Sequence, residues 1–396
     1  MKDRLSEIFF QFRTMNRRQV LIMLGTAAIV MLVSLSVVVG VQAVRSRAGE
    51  YENAILPMPE IENFPVFEEE EYVPEEPEEE VCDLPRSRLT GLAIKENYFN
   101  RRPLAVVINN IHEAQPQSGI ASADVVYEVL AEGNITRLLG IFQSEMPETI
   151  GPVRSARDYF VDLAFNHDGI FVHHGTSPTG QDRMRTTRID VLDGGRLEGQ
   201  VFRRDRSFPY WARNTGTRDR EHSSFTFWDE ISQHIESTGI RDYMNDGAEF
   251  GFVFGEIPEG IESIGDATHV TVPFSNRYIR TFIFCGETEV YLVEDIHGAH
   301  LDGATMEQAA VANILIQFVT KRVVDAEGRR NIGTVGEGRG YFITRGEVFS
   351  VIWEKTAHEE PTRWSFEDGS PLVLTPGRTW INVFQSTGVP EFEVYN

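Results

Sequence analysis

Ile150 to Gly175 reads IGPVRSARDYFVDLAFNHDGIFVHHG, and the reading of this stretch decides the fold of the first half of the chain. Gly151-Pro152 breaks what precedes it, and a proline at a first helical position is already set for a helix start. Tyr159, Phe160, Leu163 and Ala164 recur at helical spacing until Asn166-His167-Asp168-Gly169 stops the pattern, and Ile170 to His173 reads as a short buried strand. This predicts a helix with Arg154, Ser155 and Arg157 in its first turn. A first turn exposes free N–H groups and the positive end of the helix dipole, so it favours acids. Two arginines there point to an anion, a carboxylate or phosphate, held between guanidinium groups and amides. The competing reading is that both arginines pair with acids of the same chain.

Outward from this stretch, Pro103 to Asn110 is an apolar run ending in polar residues, the pattern of a buried strand delivering Asn110 to a site at its C-terminal end. Val125 to Glu132 and Ile135 to Gln143 flank Gly133-Asn134, which predicts a hairpin closed by a two-residue turn. Glu128 and Glu132 would then stand about 13 Å apart on one strand, at ~3.3 Å per residue. That exceeds the roughly 5–9.5 Å separating paired glycosidase carboxylates. The same register places Arg137 opposite Leu130 and diagonal to both acids, as a charge cluster or as a polar floor of Glu128, Glu132 and Arg137. Strand, helix, strand and the Gly/Ser/Thr loop 174–180 follow the order of a βαβ-like layer, with ligands expected at strand C-termini. His173 and His174 point to opposite sides, so one of them, His174 by preference, faces such a crevice. Residues 183–220 read as a long irregular loop, with Phe202, Phe208, Tyr210 and Trp211 among Arg and Asp. Phe225 to Thr238 reads as a closing helix.

From Gly265 the pattern changes to short alternating runs. Thr268 to Phe274, Tyr278 to Phe284 and Glu289 to Val293 read as a meander. Met306 to Ala310 reads as a helical turn, and further short strands continue to Phe384, giving a β-rich sandwich or barrel. Gly336-Glu337-Gly338-Arg339-Gly340 is not a nucleotide loop, because it precedes a strand and lacks the Lys-Ser/Thr ending; a glycine turn or bulge is expected. His297, His300 and Asp302 lie in a loop without fixed ligand geometry, so no metal is expected, and no cofactor motif is present. The fold class that follows is α+β, with a mixed α/β domain over 89–250 and a β-rich domain over 265–396.

The chain has 396 residues and a formal net charge of −23. Gln19 to Val44 carries no charged residue and is long enough for a hydrocarbon core of roughly 30 Å. Lys2, Arg4, Arg13, Arg17 and Arg18 precede it, which predicts a cytoplasmic segment 1–18, an anchor over 19–44 and an extracytoplasmic remainder. A cleaved signal peptide is the rival, with Val41-Gln42-Ala43 as the small-residue site. Residues 45–88 are acidic and proline-rich, an extended tether. With no basic stripe on an acidic exported part, nucleic acid is excluded as a partner. Cys82 and Cys285 are the only cysteines; spacing does not decide whether they pair.

RPLAVVINN, SGIASADVVYEVLAEGNITRLL, IGPVRSARDYFVDLAF, FVHHGTSP, GRGYFITRGEVFSVIWEKT and DGSPLVLTPGRTWI occur in this order over about Arg101 to Phe384. In these motifs the chain resembles the YerB-like family of Gram-positive bacteria, proteins described as lipoproteins. The resemblance implies two adjacent domains of unknown function on the outer membrane face and carries over no catalytic residue. Members commonly bear a lipid-attachment cysteine after the signal; here the longer apolar segment is expected to anchor instead.

These readings lead to a membrane-anchored extracytoplasmic protein whose first domain binds an anionic or sugar-containing envelope component. The ligand-binding candidates are Arg154, Ser155, Arg157, His174, Glu128, Glu132, Arg137 and Asn110. A cell-wall hydrolase or transferase using Glu128, Glu132, His174 or His222 is the first alternative. A scaffold for envelope proteins, with an exposed apolar patch on the β-domain, is the second.

Overall fold

The computed structural model describes residues 84–206, 219–245, 247–385 and 390–393, with residues 391–393 described by backbone alone. The chain divides into units Met1–Glu79 and Glu80–Asn396, and the described residues lie in the second. The expected anchor, the tether up to residue 83, Cys82, Phe208, Tyr210 and Trp211 lie outside them. Among the described residues no helix is long and apolar enough to cross a membrane.

The architecture is α+β. In the first region β1 (Leu104–Asn109), β2 (Val125–Leu130) and β3 (Thr136–Phe142) are buried along their whole length, as their continuous apolar runs require of strands covered on both faces. β1 pairs antiparallel with β3 and parallel with β4 (Ile170–His173), which pairs parallel with β5 (Val191–Asp193). Between β3 and β4 runs α1 (Asp158–Phe165), burying Tyr159, Phe160, Val161, Leu163 and Ala164. These side chains pack with Val107, Val129, Leu139 and Ile141 from one sheet face, each such burial contributing about 1.5–3 kcal/mol.

Three local expectations are corrected. α1 begins at Asp158, with extended Arg157 as its N-cap. The preceding segment is extended because its amides are used in tertiary pairing: Val153 N–H donates to Ser224, Arg154 N–H to Val107 and Ala156 N–H to Gly175. The segment 183–220 is not one irregular loop. It completes α2 (Pro178–Thr187), with Ser177 capping and Pro178 in its first turn, and contains β5 and β6 (Phe202–Arg204). The expected closing helix is divided into β7 (Ser224–Phe227) and α3 (Trp228–Thr238).

In the second region β8 (His269–Ser275), β9 (Tyr278–Cys285) and β10 (Val290–Asp295) form the expected meander. A second set comprises β11 (Asn313–Val319), β12 (Gly336–Thr344), β13 (Glu347–Lys355), β14 (Arg363–Phe366) and β15 (Thr379–Gln385). The meander packs over this second set, with Phe282 near Trp380 at 6.0 Å and Phe274 near Phe384 at 5.4 Å between ring centres. Residues 306–310 form no helical turn: Gln308 bridges to Leu301 and Ala310 opens a two-residue strand. The glycine run 336–340 lies inside β12, not at a turn. A Cβ on Gly338 would stand 2.7 Å from Trp353 Nε1, and one on Gly340 would stand 2.5 Å from the Ile316 carbonyl oxygen.

The two regions share one sheet of eleven strands. β15 lies between β2 and β11 and is parallel to both, with Tyr127 opposite Ile381 and Leu315 opposite Ile381.

Candidate functional site

The β2–β3 connection separates the residues that the sequence grouped. Ala131 N–H donates to the Ile135 carbonyl, so the loop has three residues, Glu132-Gly133-Asn134, rather than two. Leu130 therefore faces Thr136, and Arg137 faces Val129. A one-residue change of register moves a side chain to the other face. Arg137 accordingly shares the α1 side of the sheet with Leu139 and Ile141, while Glu128 lies on the opposite side with Val126 and Leu130.

On the α1 side, Glu132 is gripped by Arg157, with Nη2 to Oε2 at 2.8 Å, and lies 3.6 Å from Arg137. Burial alone would raise the Glu132 pKa, but the Arg157 hydrogen bonds and the two guanidinium charges together hold it below the ordinary value. Arg137 donates to the Ser155 carbonyl, and burial beside Arg157 pulls it down to about 10. Ser155 thus contributes its backbone, and Arg157 is engaged by an acid of its own chain.

On the other side Glu128 is buried and bonded by Arg280 (Nε to Oε2, 2.7 Å), Thr136 (2.8 Å) and Asn110 (3.2 Å). Arg280 also contacts His300 Nδ1 at 3.0 Å and lies over the Trp380 ring at 5.0 Å. This network floors a cleft of about 420 Å³ rimmed by Tyr278, Asp295 and His297. Of the loop histidines and Asp302, His300 faces Arg280, His297 stacks on His112 at 3.6 Å, and Asp302 caps the Ala121 and Ala304 amides. Among the described residues no cluster has metal-ligating geometry.

Arg154 and His174 meet in a third place, an open hollow of about 410 Å³ lined also by Val153, Arg204, Arg220 and Glu221. The extended 151–157 segment delivers Arg154, the end of β4 delivers His174, and β6 delivers Arg204. Among the described residues Arg154 bonds Glu221, by its carbonyl at 3.0 Å and its carboxylate at 3.2 Å, and that carboxylate is 61% exposed. Arg204 lies 3.3 Å from Glu198 and donates to His174 Nε2 at 2.8 Å. His174 Nδ1 is 2.8 Å from Ser224 Oγ. Burial, and then the Arg204 charge, lower the His174 pKa, so the ring is neutral at pH 7. His222 stands beside Glu221 at 3.4 Å and meets Asn109 at 2.9 Å. Burial likewise lowers its pKa.

Sequence reasoning missed Arg204 and Arg220, which line the hollow, and Glu198 and Ser224, which contact its lining residues Arg204 and His174. It also missed Arg280, whose signal was available: an arginine two residues before Phe282, on the inward face of an alternating strand.

The fold and its polar clusters define a two-region α+β protein built on a composite sheet, without an assigned catalytic motif. The family described as "Protein of unknown function (DUF3048) N-terminal domain" matches residues 89–241, and its C-terminal domain matches residues 270–381. The chain is 35% identical over 303 residues to the Bacillus subtilis (strain 168) protein named "Putative lipoprotein YerB", covering 75% of this chain and 86% of that protein. It is similar to the crystal structure of YerB from Bacillus subtilis, with a TM-score of 0.66 at 32% identity, over 78% of this chain and 99% of that one. The chain belongs to this YerB-like DUF3048 family.

Proposed function

We propose that the chain is a membrane-anchored extracytoplasmic protein that binds an anionic, sugar-bearing component of the cell envelope in the hollow at Arg154. The observation that carries this reading is the charge arrangement there. Arg154, Arg204 and Arg220 line one open concavity, and the carboxylates facing them, Glu221 and Glu198, are themselves 61% and 37% exposed. Exposed ion pairs are worth only about 0–1 kcal/mol, so a ligand bearing several phosphates or carboxylates can displace both glutamates and take up bidentate geometry. Arg157 is removed from the binding set because Glu132 already holds it. The location is supported by the basic N-terminus, the apolar run Gln19 to Val44, and a relative whose name describes a lipoprotein.

The test is retention of the full-length chain, in detergent, on purified cell wall. The Arg154→Ala/Arg204→Ala variant is expected to elute at lower salt than the parent chain. Equal retention of a folded double variant would remove the proposal.

A further inference from the structure

We propose that Ser224 and His174 form a nucleophile and base that act on an acyl ester carried by an anionic molecule bound in the same hollow. The proposal rests on the binding reading for the substrate's charge and goes beyond it for the chemistry. A serine hydroxyl at 2.8 Å from one imidazole nitrogen, with the Glu198 carboxylate 3.9 Å from the other, is the set of groups from which an activated nucleophile can be assembled. The partners come from distant parts of the chain, 50 residues apart, one at the end of β4 and the other at the start of β7.

In the resting arrangement Arg204 blocks the chemistry. Arginine has only donors, so the hydrogen bond from Arg204 to Nε2 makes that nitrogen the acceptor. The imidazole proton is then on Nδ1, and Ser224 Oγ accepts it. Glu198 Oε2 waits 3.9 Å from Nε2 and is tied to the same Arg204. An anionic substrate that draws Arg204 away frees both. The ring proton then moves from Nδ1 to Nε2 by exchange through water, Glu198 accepts the hydrogen bond of Nε2–H, and Nδ1 presents its lone pair to the serine. Ser224 is 1% exposed behind the lining residue His174 in the resting arrangement, so the displacement of Arg204 must also open a path from the hollow to the hydroxyl.

The step balances without any further reagent. Ser224 Oγ bonds to the carbonyl carbon as its proton passes to His174 Nδ1. The tetrahedral adduct collapses, the ester C–O bond breaks, and the leaving alcohol takes the proton from Nδ1. Water then attacks the acyl-serine, again giving its proton to Nδ1, and releases the acid and free Ser224. Glu128 and Glu132 take no part, since Arg280 and Arg157 hold them elsewhere.

The experiment compares hydrolysis of mono-(4-nitrophenyl) succinate and 4-nitrophenyl acetate by the full-length chain. The parent chain is expected to cleave the anionic ester faster than the neutral one, and Ser224→Ala to lose about 100-fold, the lower end of what a positioned base supplies. Glu198→Gln, a positioning change, is expected to lower kcat with KM little altered. A fluorophosphonate probe is expected to mark Ser224, and more strongly in Arg204→Ala, where no side-chain donor remains at that position. Equal rates for parent and Ser224→Ala, or an adduct only on another residue, overturn the proposal. Ser224→Ala leaves every arginine in place, so its retention on cell wall reports the binding reading separately. Retained binding with unchanged ester turnover removes the chemistry alone.

Discussion

Glu128 and Arg280 are 152 residues apart in the chain and meet at 2.7 Å, each with 2% of its side chain exposed. The pair fastens the β2–β3 hairpin to the meander. Removing one member of a buried pair strands the other charge, which costs about 3–5 kcal/mol. Arg280→Met should therefore lower the urea midpoint steeply, and Arg280→Met/Glu128→Leu should recover much of the loss. Equal stability of the single variant and the parent would show that the pair contributes nothing.

Arg154 and Arg157 lie three residues apart and should respond differently to truncation. Arg157→Ala leaves the partly buried Glu132 without its bidentate partner and with Arg137 only at 3.6 Å, for a loss of about 1–3 kcal/mol. Arg154→Ala removes a pair with an exposed glutamate and should stay within about 0.5 kcal/mol of the parent. Chemical denaturation of the two variants decides whether the sites are distinct, since matching losses would contradict the separation.

His167 is buried against Tyr127 Oη at 2.7 Å, and burial, with the Lys355 charge, pushes its pKa down to about 3. The ordinary value is about 6.5. Between these limits the unfolded chain binds more protons than the folded one. The contribution is complete above pH ~6.5 and is lost as pH falls towards 3, by up to about 1.4 kcal/mol per pH unit. The stability difference between the parent and His167→Gln should shrink on acidification from pH 7 to pH 4.5. A difference independent of pH would show that the ring takes up its proton equally in the folded and unfolded states.

Gly340 faces a backbone carbonyl where a Cβ would clash at 2.5 Å, and Gly338 faces the Trp353 ring. Gly340→Ala should cost about 1–3 kcal/mol through displaced strands. Gly338→Ala should also disturb the 3.0 Å bond from Trp353 Nε1 to the Phe318 carbonyl, shifting tryptophan emission. Thermal melts and fluorescence of each variant check both effects, and unaltered melting of Gly340→Ala would refute the close packing.

The strands were readable wherever apolar residues recur with period two or form unbroken buried runs, as in β1 and the β8–β10 meander. The errors arose where a backbone group satisfied itself at a distance. Apolar spacing in 159–164 is the same whether the helix begins at Gly151 or Asp158, and only the pairing of Val153, Arg154 and Ala156 amides separates the two. α2 was passed over because only Gly180 among its residues is buried, leaving no apolar stripe, although Ser177-Pro178 carries a start signal. The hairpin register depended on one loop residue. At the hollow, Arg154 and His174 were named in advance, but Arg204 and Ser224 arrive through β6 and β7, whose short pairing leaves no local pattern.

The insertion of β15 has a bearing on how this protein comes into being. The inner edge of β2 is completed by residues 379–385, near the end of the chain. During synthesis the hairpin waits with an open flank, liable to pair with the wrong neighbour, until residues 379–383 have been delivered. Maturation of the hairpin is thus gated by a strand far downstream of it, and a truncation that spares the whole first region still leaves it without its seam.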